Sequence, residues 1–283
     1  MSNIFEFENL TMAQNLEPTF LFIDGSYYCF HKYYALIHWW KITNPEVSLE
    51  DPFQNEIFLR KFRDTFVNNL LQIPKKLKLT NPIIIVGKDC KRENIWRNEL
   101  FPKYKGNRLT DDNFKGGPFF KMAYEDNLFE KGGANAILKH SKLEADDCIA
   151  ISVKYLLTKY PLCNIYIITS DRDYLQLNSE RVNIFDLSFK NIALTKNSTG
   201  ISKTDLEIKI IMGDKSDNIP SVFPKCGQKT AQKCVEDNEF FKKKMSDNEE
   251  YYKQYELNKT LVDFNNIPQQ LVEEFMISIN CKT

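Results

Sequence analysis

The chain has little that would support a zinc-binding, secreted or membrane-spanning protein. It contains only three histidines, and its seven cysteines include no Cys-x-x-Cys pair, so a zinc site would lack its usual ligands. No apolar run approaches the roughly eighteen residues of a membrane-spanning helix. The first fifteen residues also lack a basic start followed by an apolar stretch. We therefore expect a soluble intracellular protein with reduced thiols, in a compartment that the sequence does not identify.

The net charge leaves the class of binding partner open. Lys plus Arg and Asp plus Glu each number 38 among the 283 residues, so the formal net charge is zero. This neutrality says little against a nucleic-acid partner, because an acidic site would offset a basic face elsewhere. With 42% apolar residues the chain can bury a proper core, as one large domain or one domain with a small appendage.

Four apolar runs have the character of buried strands and alternate with helical stretches. The strands are predicted at Thr19–Asp24, Pro82–Gly87, Asn164–Thr169 and Val182–Leu187. Between the first two strands, a phenylalanine recurs every four residues from Phe58 to Phe66, which marks the apolar face of a helix. This alternation predicts an α/β fold with a mostly parallel central sheet covered by helices on both faces.

Acidic residues recur where these strands end. Asp24, Asp89 and Asp171 fall at or just past the carboxyl end of a predicted strand, the edge at which open α/β sheets bind ligands. The other acids of this pattern are Glu144, Asp146, Asp147, Asp173, Asp214 and Asp217. So many carboxylates would repel one another unless cations held them, and hard oxygen ligands favour Mg²⁺ or Mn²⁺. Two such ions a few Å apart are the usual means of cutting phosphodiesters, so the sequence predicts a metal-dependent nuclease.

Two of these acids have a competing structural interpretation. Ser141 followed by Glu144 three residues later is also a capping box, which would leave Glu144 without a catalytic role. Asp89 could be a solvated turn residue.

Three phrases narrow the prediction from a generic metal site to a family. They are LEADD (Leu143–Asp147), TSDRDYLQL (Thr169–Leu177) and GDKSDNIP (Gly213–Pro220), accompanied by FIDGS (Phe22–Ser26) and YKGNR (Tyr104–Arg108). In this order they resemble the 5′ nuclease superfamily. That superfamily includes flap endonucleases, the 5′ nuclease domain of bacterial DNA polymerases, and bacteriophage 5′ exonucleases and ribonucleases H. The resemblance spans roughly residues 20–235.

The resemblance implies a fold, an activity and a domain division. The fold would be a PIN-like catalytic domain over residues 1–200, with a smaller C-terminal helical unit containing a helix-two-turn-helix over residues 201–283. The activity would be 5′→3′ exonuclease and flap endonuclease cleavage of DNA, in replication or repair, with ribonuclease H activity as an extension. The implied partners are DNA with 5′ ends, flaps or nicks and RNA–DNA hybrids, without a membrane.

The resemblance also assigns roles to individual residues. One divalent ion would be bound by Asp24, Asp89, Glu144 and Asp146. The second ion would be bound by Asp171, Asp173, Asp214 and Asp217, with Asp147 as a ligand or an outer acceptor. Lys105 and Arg108 would be catalytic cations that oppose the charge developing on the scissile phosphate.

The remaining implied residues contact the nucleic acid. Residues 109–140 would form a helical arch that receives a single-stranded 5′ end, and Phe30 would stack on a terminal base. Duplex contacts are implied for Lys225, Gly227, Lys229 and Thr230 in the helix-two-turn-helix, where a K⁺ ion is a further expectation.

Two other functions are compatible with the pattern. A PIN-type ribonuclease also gathers acids on such a sheet, although the GDKSDNIP segment and the helical tail argue against it. A catalytically silent DNA-binding scaffold would be expected to lack a ligand acid, and no such acid is missing here.

Overall fold

The centre of the protein is a five-stranded parallel sheet, seen in a computed structural model that describes residues 17–108 and 114–280. The strands are β1 (Thr19–Asp24), β2 (Ile83–Gly87), β3 (Ala136–Leu138), β4 (Asn164–Ile168) and β5 (Val182–Phe185). Their order is β3-β2-β1-β4-β5, so β1 is central and pairs with β2 on one side and β4 on the other. The predicted α/β fold is confirmed, although the sequence did not predict β3.

Helices surround this sheet. They are α1 (Gly25–Thr43), α2 (Glu56–Lys76), α3 (Arg97–Leu100), α4 (Gly117–Glu125), α5 (Leu128–Lys131), α6 (Ala145–Lys159), α7 (Ser202–Met212), α8 (Gln228–Glu236), α9 (Asn238–Ser246), α10 (Glu250–Val262) and α11 (Gln269–Asn280). Short 3₁₀ turns lie at Pro52–Gln54, Arg92–Asn94, Gly106–Arg108, Arg172–Leu177, Ile192–Leu194 and Phe264–Asn266. In the described part of the chain, none of these helices has the length and apolar character needed to cross a membrane.

The two faces of the sheet bury different helices. On one face α2 packs the predicted phenylalanine stripe, in which Phe58, Phe62 and Phe66 are fully buried together with Leu21 of β1. Burying each such side chain contributes about 1.5–3 kcal/mol. On the other face α6 buries Ile149 and its apolar neighbours against the alternate side chains of the strands. The carboxyl ends of the strands remain uncovered between these layers.

The C-terminal helices do not form one separate unit. Helices α7 to α10 share a small apolar cluster that includes Ile208, Phe223 and Met245. Helix α11 instead returns to the sheet, where Phe275 is fully buried in the same core cluster as Phe20. The division into residues 1–200 and 201–283 stays a prediction, although the apolar side of the last helix packs in the same core as the sheet.

The predicted arch range of 109–140 stays a prediction, although it includes residues of the core. Residues 109–113 lie outside the described residues. Within the described part, Phe119 of α4 and Phe129 of α5 are fully buried, and β3 is a strand of the central sheet. The C-terminal part of this range thus packs against or within the central sheet.

Candidate active site

The carboxyl edge of the sheet opens into a cleft of about 1130 Å³. Asp24 is the last residue of β1 and Asp171 follows β4, so pairing of these parallel strands brings both acids to this edge. The predicted metal ligands that line the cleft are Asp24, Asp89, Glu144, Asp146, Asp171 and Asp214. The structure therefore gathers side chains from five separate segments of the chain.

Two groups of three acids in the described residues have oxygens within 4.8 Å of one another. The first group is Glu144, Asp146 and Asp147, at the start of α6. The second group is Asp173, Asp214 and Asp217, from the turn after β4 and the segment after α7. Each group has the spacing from which carboxylates can bind a common cation.

Asp24 is buried at the base of the cleft. Its Oδ1 accepts a hydrogen bond from the Tyr27 N–H at 3.0 Å, and its Oδ2 accepts one from Thr169 Oγ1 at 3.2 Å. Burial, followed by the charges of Asp89 and Asp171, raises the pKa of Asp24 to about 7. This environment thus favours the protonated form of the Asp24 carboxyl, whereas a bound cation would favour its ionised form.

Asp89 is held in place although it is exposed. Its Oδ1 accepts a hydrogen bond from the Ala145 N–H at 2.8 Å, and its Oδ2 accepts one from Ser26 Oγ. These bonds tie the loop after β2 to the first residues of α1 and α6. The arrangement favours a fixed role for Asp89 over that of a mobile turn residue.

Glu144, and not Ser141, is the N-cap of α6. Its N–H donates to Asp147 Oδ2 at 3.2 Å, while its carboxylate accepts from Tyr104 Oη at 3.0 Å and contacts Lys105. The capping box predicted from Ser141 is therefore wrong, because the helix begins at Ala145. Although burial raises the pKa of Glu144, Lys105 and Arg97 lower it more, so the carboxyl is held ionised.

Asp147 is fully buried against cations rather than facing the cleft. Its Oδ1 accepts from Arg97 Nη2 at 2.7 Å, and its Oδ2 accepts from Arg97 Nη1 at 2.8 Å and Trp96 Nε1 at 3.0 Å. Because these donors engage both oxygens, the geometry favours the outer acceptor over the direct ligand. Arg97 was not predicted from the sequence, because a single arginine after Ile95 and Trp96 gives no local signal of a functional role.

Lys209 was also missed. From the last turn of α7 its ammonium nitrogen lies 2.8 Å from Asp214 Oδ2 and contacts Asp173 Oδ1. Burial raises the pKa of Asp214, but Lys209 and the Ser216 donors lower it by more, so that the pKa of Asp214 is about 2. The only sequence signal was a lysine set among isoleucines, at Ile208, Ile210 and Ile211.

The two predicted catalytic cations lie against the acids. Lys105 contacts Glu144, and its ammonium nitrogen is 3.9 Å from Asp217 Oδ2. Arg108 places Nη2 at 2.6 Å from Asp217 Oδ1 and donates from Nε to the Ser216 carbonyl at 3.0 Å. Burial lowers the pKa of Lys105, but Glu144 and Asp217 raise it overall. Both side chains line the cleft.

The predicted nucleic-acid contacts fall at the cleft and beside it. Phe30 lines the cleft with 42% of its surface exposed, and its ring packs edge-on against Phe120 with centroids 4.6 Å apart. Lys225 and Gly227 also line the cleft, and Gly227 is the N-cap of α8. Lys229 and Thr230 lie in the first turn of α8, where helix N–H groups lack intrahelical partners.

The donor set fits hard divalent cations. All the predicted ligands offer carboxylate oxygens, which Mg²⁺ and Mn²⁺ prefer, whereas the described cluster contains no thiolate or imidazole group that would favour zinc. The ammonium groups of Lys105 and Lys209 contact acids of both groups, so side-chain cations already occupy positions where positive charge is needed. Burial, with the charges of Asp147 and Glu144, raises the pKa of Asp146 well above its usual range.

Comparison with known proteins finds similar nucleases. The N-terminal resolvase-like domain of 5′-3′ exonucleases matches residues 19–211. A 5′-3′ exonuclease of Buchnera aphidicola subsp. Acyrthosiphon pisum is 34% identical over 218 residues, which cover 75% of this chain and 68% of that protein. The ribonuclease H of Enterobacteria phage T4 is 26% identical over 265 residues, which cover 86% of this chain and 84% of that protein.

Solved structures share the fold. A bacteriophage T5 flap endonuclease in complex with DNA and metal ions aligns with a TM-score of 0.60 at 18% identity, over 92% of this chain and 97% of that one. A second T5 structure, crystallised with metal ions, aligns with a TM-score of 0.63. The match over residues 19–211 and the similarity to the Buchnera enzyme establish that this chain belongs to the 5′-3′ exonuclease family of the 5′ nuclease superfamily.

Proposed function

We propose that this protein is a divalent-metal-dependent, structure-specific 5′ nuclease that hydrolyses DNA phosphodiesters by a two-metal mechanism. The observation that supports this most directly is the pair of acid groups, Glu144/Asp146/Asp147 and Asp173/Asp214/Asp217, beside one cleft. When bound there, Mg²⁺ or Mn²⁺ would activate water for attack and neutralise the oxygens exchanged in an in-line displacement.

The chain's own cations would change partners during catalysis. Lys105 and Lys209 now neutralise carboxylates that the proposal assigns to metal binding. If those carboxylates held divalent ions, Lys105 would give up its contact with Glu144 and would contact the scissile phosphate from within the cleft. A cation placed there opposes the charge that develops as the phosphate becomes pentacovalent.

Substrate selection would depend on shape rather than base sequence. The duplex would lie beside the start of α8, where Lys225, Lys229, Thr230 and the amide of Gly227 would contact phosphates. Phe30 would stack on an unpaired base beside the acids, which tolerates any sequence. We propose that the predicted arch range, residues 109–140, contributes to covering a single-stranded 5′ end, and that a K⁺ ion binds near Gly227.

The proposed substrates are DNA ends, nicks and 5′ flaps, with RNA–DNA hybrids as an extension. The similarity to a phage ribonuclease H supports including hybrids. We also propose that the protein acts inside the cell, because its six described cysteines are free thiols, which suits a reducing compartment.

A cleavage panel tests the proposal. A labelled 5′-flap duplex and a single-stranded RNA are incubated with Mg²⁺, Mn²⁺ or EDTA, beside a nicked duplex and an RNA–DNA hybrid. Metal-dependent flap cutting that EDTA abolishes is the expected result. Cutting of single-stranded RNA alone would support a PIN-type ribonuclease, and duplex binding without cutting would support a scaffold.

A further inference from the structure

Arg97 is a buried cation that the proposed mechanism does not use. Only 2% of its surface is exposed, yet three of its nitrogens are engaged. Nη1 lies 3.0 Å from Glu144 Oε2 and 2.8 Å from Asp147 Oδ2, while Nη2 lies 2.7 Å from Asp147 Oδ1. Nε donates to the Leu261 carbonyl at 2.7 Å. One guanidinium therefore joins two acids of the first group to the end of α10.

The surroundings of Arg97 fix its orientation. The Trp96 and Tyr104 ring centroids lie 4.6 and 5.8 Å from Arg97 Cζ, within the range of cation–π contact. Rotation of this buried arginine would leave a buried carboxylate unpaired, which is strongly unfavourable. The carboxylates that it holds are fixed to the same extent.

The arrangement also sets which acid faces the cleft. Arg97 and Lys105 together supply two positive charges to Glu144 and Asp147. Asp146 lies between these residues in sequence and lines the cleft, whereas Asp147 does not. Because Arg97 binds both oxygens of Asp147 and one oxygen of Glu144, Asp146 and the Glu144 oxygen that contacts Lys105 are the groups on the cleft side that a divalent ion would use.

The contact with Leu261 extends this arrangement to the C-terminal helices. Leu261 is in the last turn of α10, where carbonyl groups have no intrahelical donor and carry partial negative charge. A lysine could not replace Arg97, because its single ammonium lacks the planar fork that serves two carboxylates and a carbonyl in different directions.

We propose that Arg97 is a positioning residue for metal binding, which orients Glu144 and Asp147 so that the first acid group binds a divalent ion in a fixed geometry. This inference rests on the proposed function of the same cleft. Partners that orient metal ligands typically contribute 10- to 100-fold in metal affinity. Arg97 would act through the carboxylates and would not touch the substrate.

Mn²⁺ binding to the full chain without nucleic acid, measured by titration calorimetry, tests this role. We expect Arg97→Lys to weaken Mn²⁺ binding by about 10-fold or more. Arg63→Lys is the matched control, because Arg63 pairs with Asp126 at 3.0 Å on the surface, and it should bind Mn²⁺ as the wild type does. Mn²⁺ affinity within twofold of wild type in Arg97→Lys would overturn the proposal.

A double variant separates positioning from simple stabilisation. Arg97→Met combined with Asp147→Asn removes one charge of each sign, so its unfolding temperature in EDTA should exceed that of Arg97→Met alone. The Mn²⁺ affinity of the double variant should nevertheless remain at least about tenfold weaker than that of the wild type, because Glu144 still lacks the Nη1 donor. Recovery of wild-type affinity in the double variant, or failure of both Arg97→Lys and the double variant to fold, would mean that Arg97 is only structural.

Failure of the proposed role of Arg97 can be distinguished from failure of the proposed nuclease function. A wild-type protein that cuts the flap while Arg97→Lys binds Mn²⁺ normally would remove only this inference. A wild-type protein that neither binds Mn²⁺ nor cuts would remove the proposed function itself.

Discussion

The ammonium nitrogen of Lys209 lies 2.8 Å from Asp214 Oδ2, so a lysine neutralises an acid that we assign to metal binding. The same ammonium contacts Asp173 across the second acid group. A divalent ion bound there would compete with Lys209 for the same oxygens. Lys209 thus links Asp173 and Asp214 in an ion-pair network, and a divalent ion would have to displace it from these oxygens.

Replacing Lys209 should expose this competition. Lys209→Met should lower the free energy of unfolding in EDTA by roughly 3 kcal/mol, since two largely buried carboxylates lose their counter-charge. Mn²⁺ should then raise the unfolding temperature more than in the wild type, because no lysine has to be displaced. Thermal unfolding with and without Mn²⁺ measures both effects, with the exposed Lys242→Met as control. An equal Mn²⁺ shift in variant and wild type would argue against the competition.

Asp171→Asn should separate chemistry from binding. Asp171 Oδ1 accepts from the Asp173 N–H at 3.0 Å, a bond that the asparagine oxygen can keep, so the local fold should survive. Flap cleavage should fall by at least about 100-fold, while duplex affinity, measured by fluorescence anisotropy in Ca²⁺, stays nearly unchanged. Asp186→Asn, a substitution of an acid after β5 that does not line the cleft, is the control. Unchanged turnover would remove Asp171 from the mechanism.

Lys229→Ala should weaken duplex binding at every sequence tested. An exposed lysine in the first turn of α8 would contact a phosphate, so its loss should reduce the salt dependence of binding by about one unit of slope. Anisotropy titrations at several NaCl concentrations measure this slope, with the exposed Lys41→Ala on α1 as control. A salt slope identical to that of the wild type would mean that α8 does not grip DNA there.

Stability of the metal-free protein should depend on pH through Asp24. Its pKa is raised from 3.8 to about 7, so between these values the native state keeps a proton that the unfolded chain has released. The free energy of unfolding in EDTA should therefore fall as the pH rises through this window. Saturating Mg²⁺ should oppose that decline, because the ion requires the ionised carboxylate.

Urea unfolding at several pH values between about 5 and 8 measures the pH effect. Asp24→Asn, which cannot ionise, should show a shallower decline than the wild type. Asp64→Asn replaces an exposed acid on α2 and should keep the full decline. An equally steep decline in Asp24→Asn would assign the effect to other carboxyl groups.

The parallel sheet and much of the cleft could be predicted because their signals are local. The run Thr19–Asp24 is apolar and ends in an acid, and β1 has those bounds in the structure. Strand β3 was missed because its three residues, Ala136–Leu138, are too short for a periodicity to emerge. Its place in the sheet depends on pairing with β2, which the sequence around it does not reveal.

The cations of the site were harder to predict because their partners are remote in sequence. Arg97 is 164 residues from Leu261 and 50 from Asp147, so its burial depends on tertiary packing alone. Lys209 stands among isoleucines, where a charged residue has no local reason to be buried. The family-like motifs pointed to the acids, whereas Arg97 and Lys209, which neutralise them, could be identified only from the folded structure.

The return of α11 to the sheet constrains when the enzyme can become active. Phe275 and Ile279 complete the same cluster as Phe20 of β1, so the core lacks part of its packing until these residues leave the ribosome. During synthesis, the growing chain carries the acids of the cleft on an unfinished scaffold. A nascent nuclease of this design would be silent toward nucleic acid in its vicinity until α11 has emerged from the ribosome and packed against the sheet.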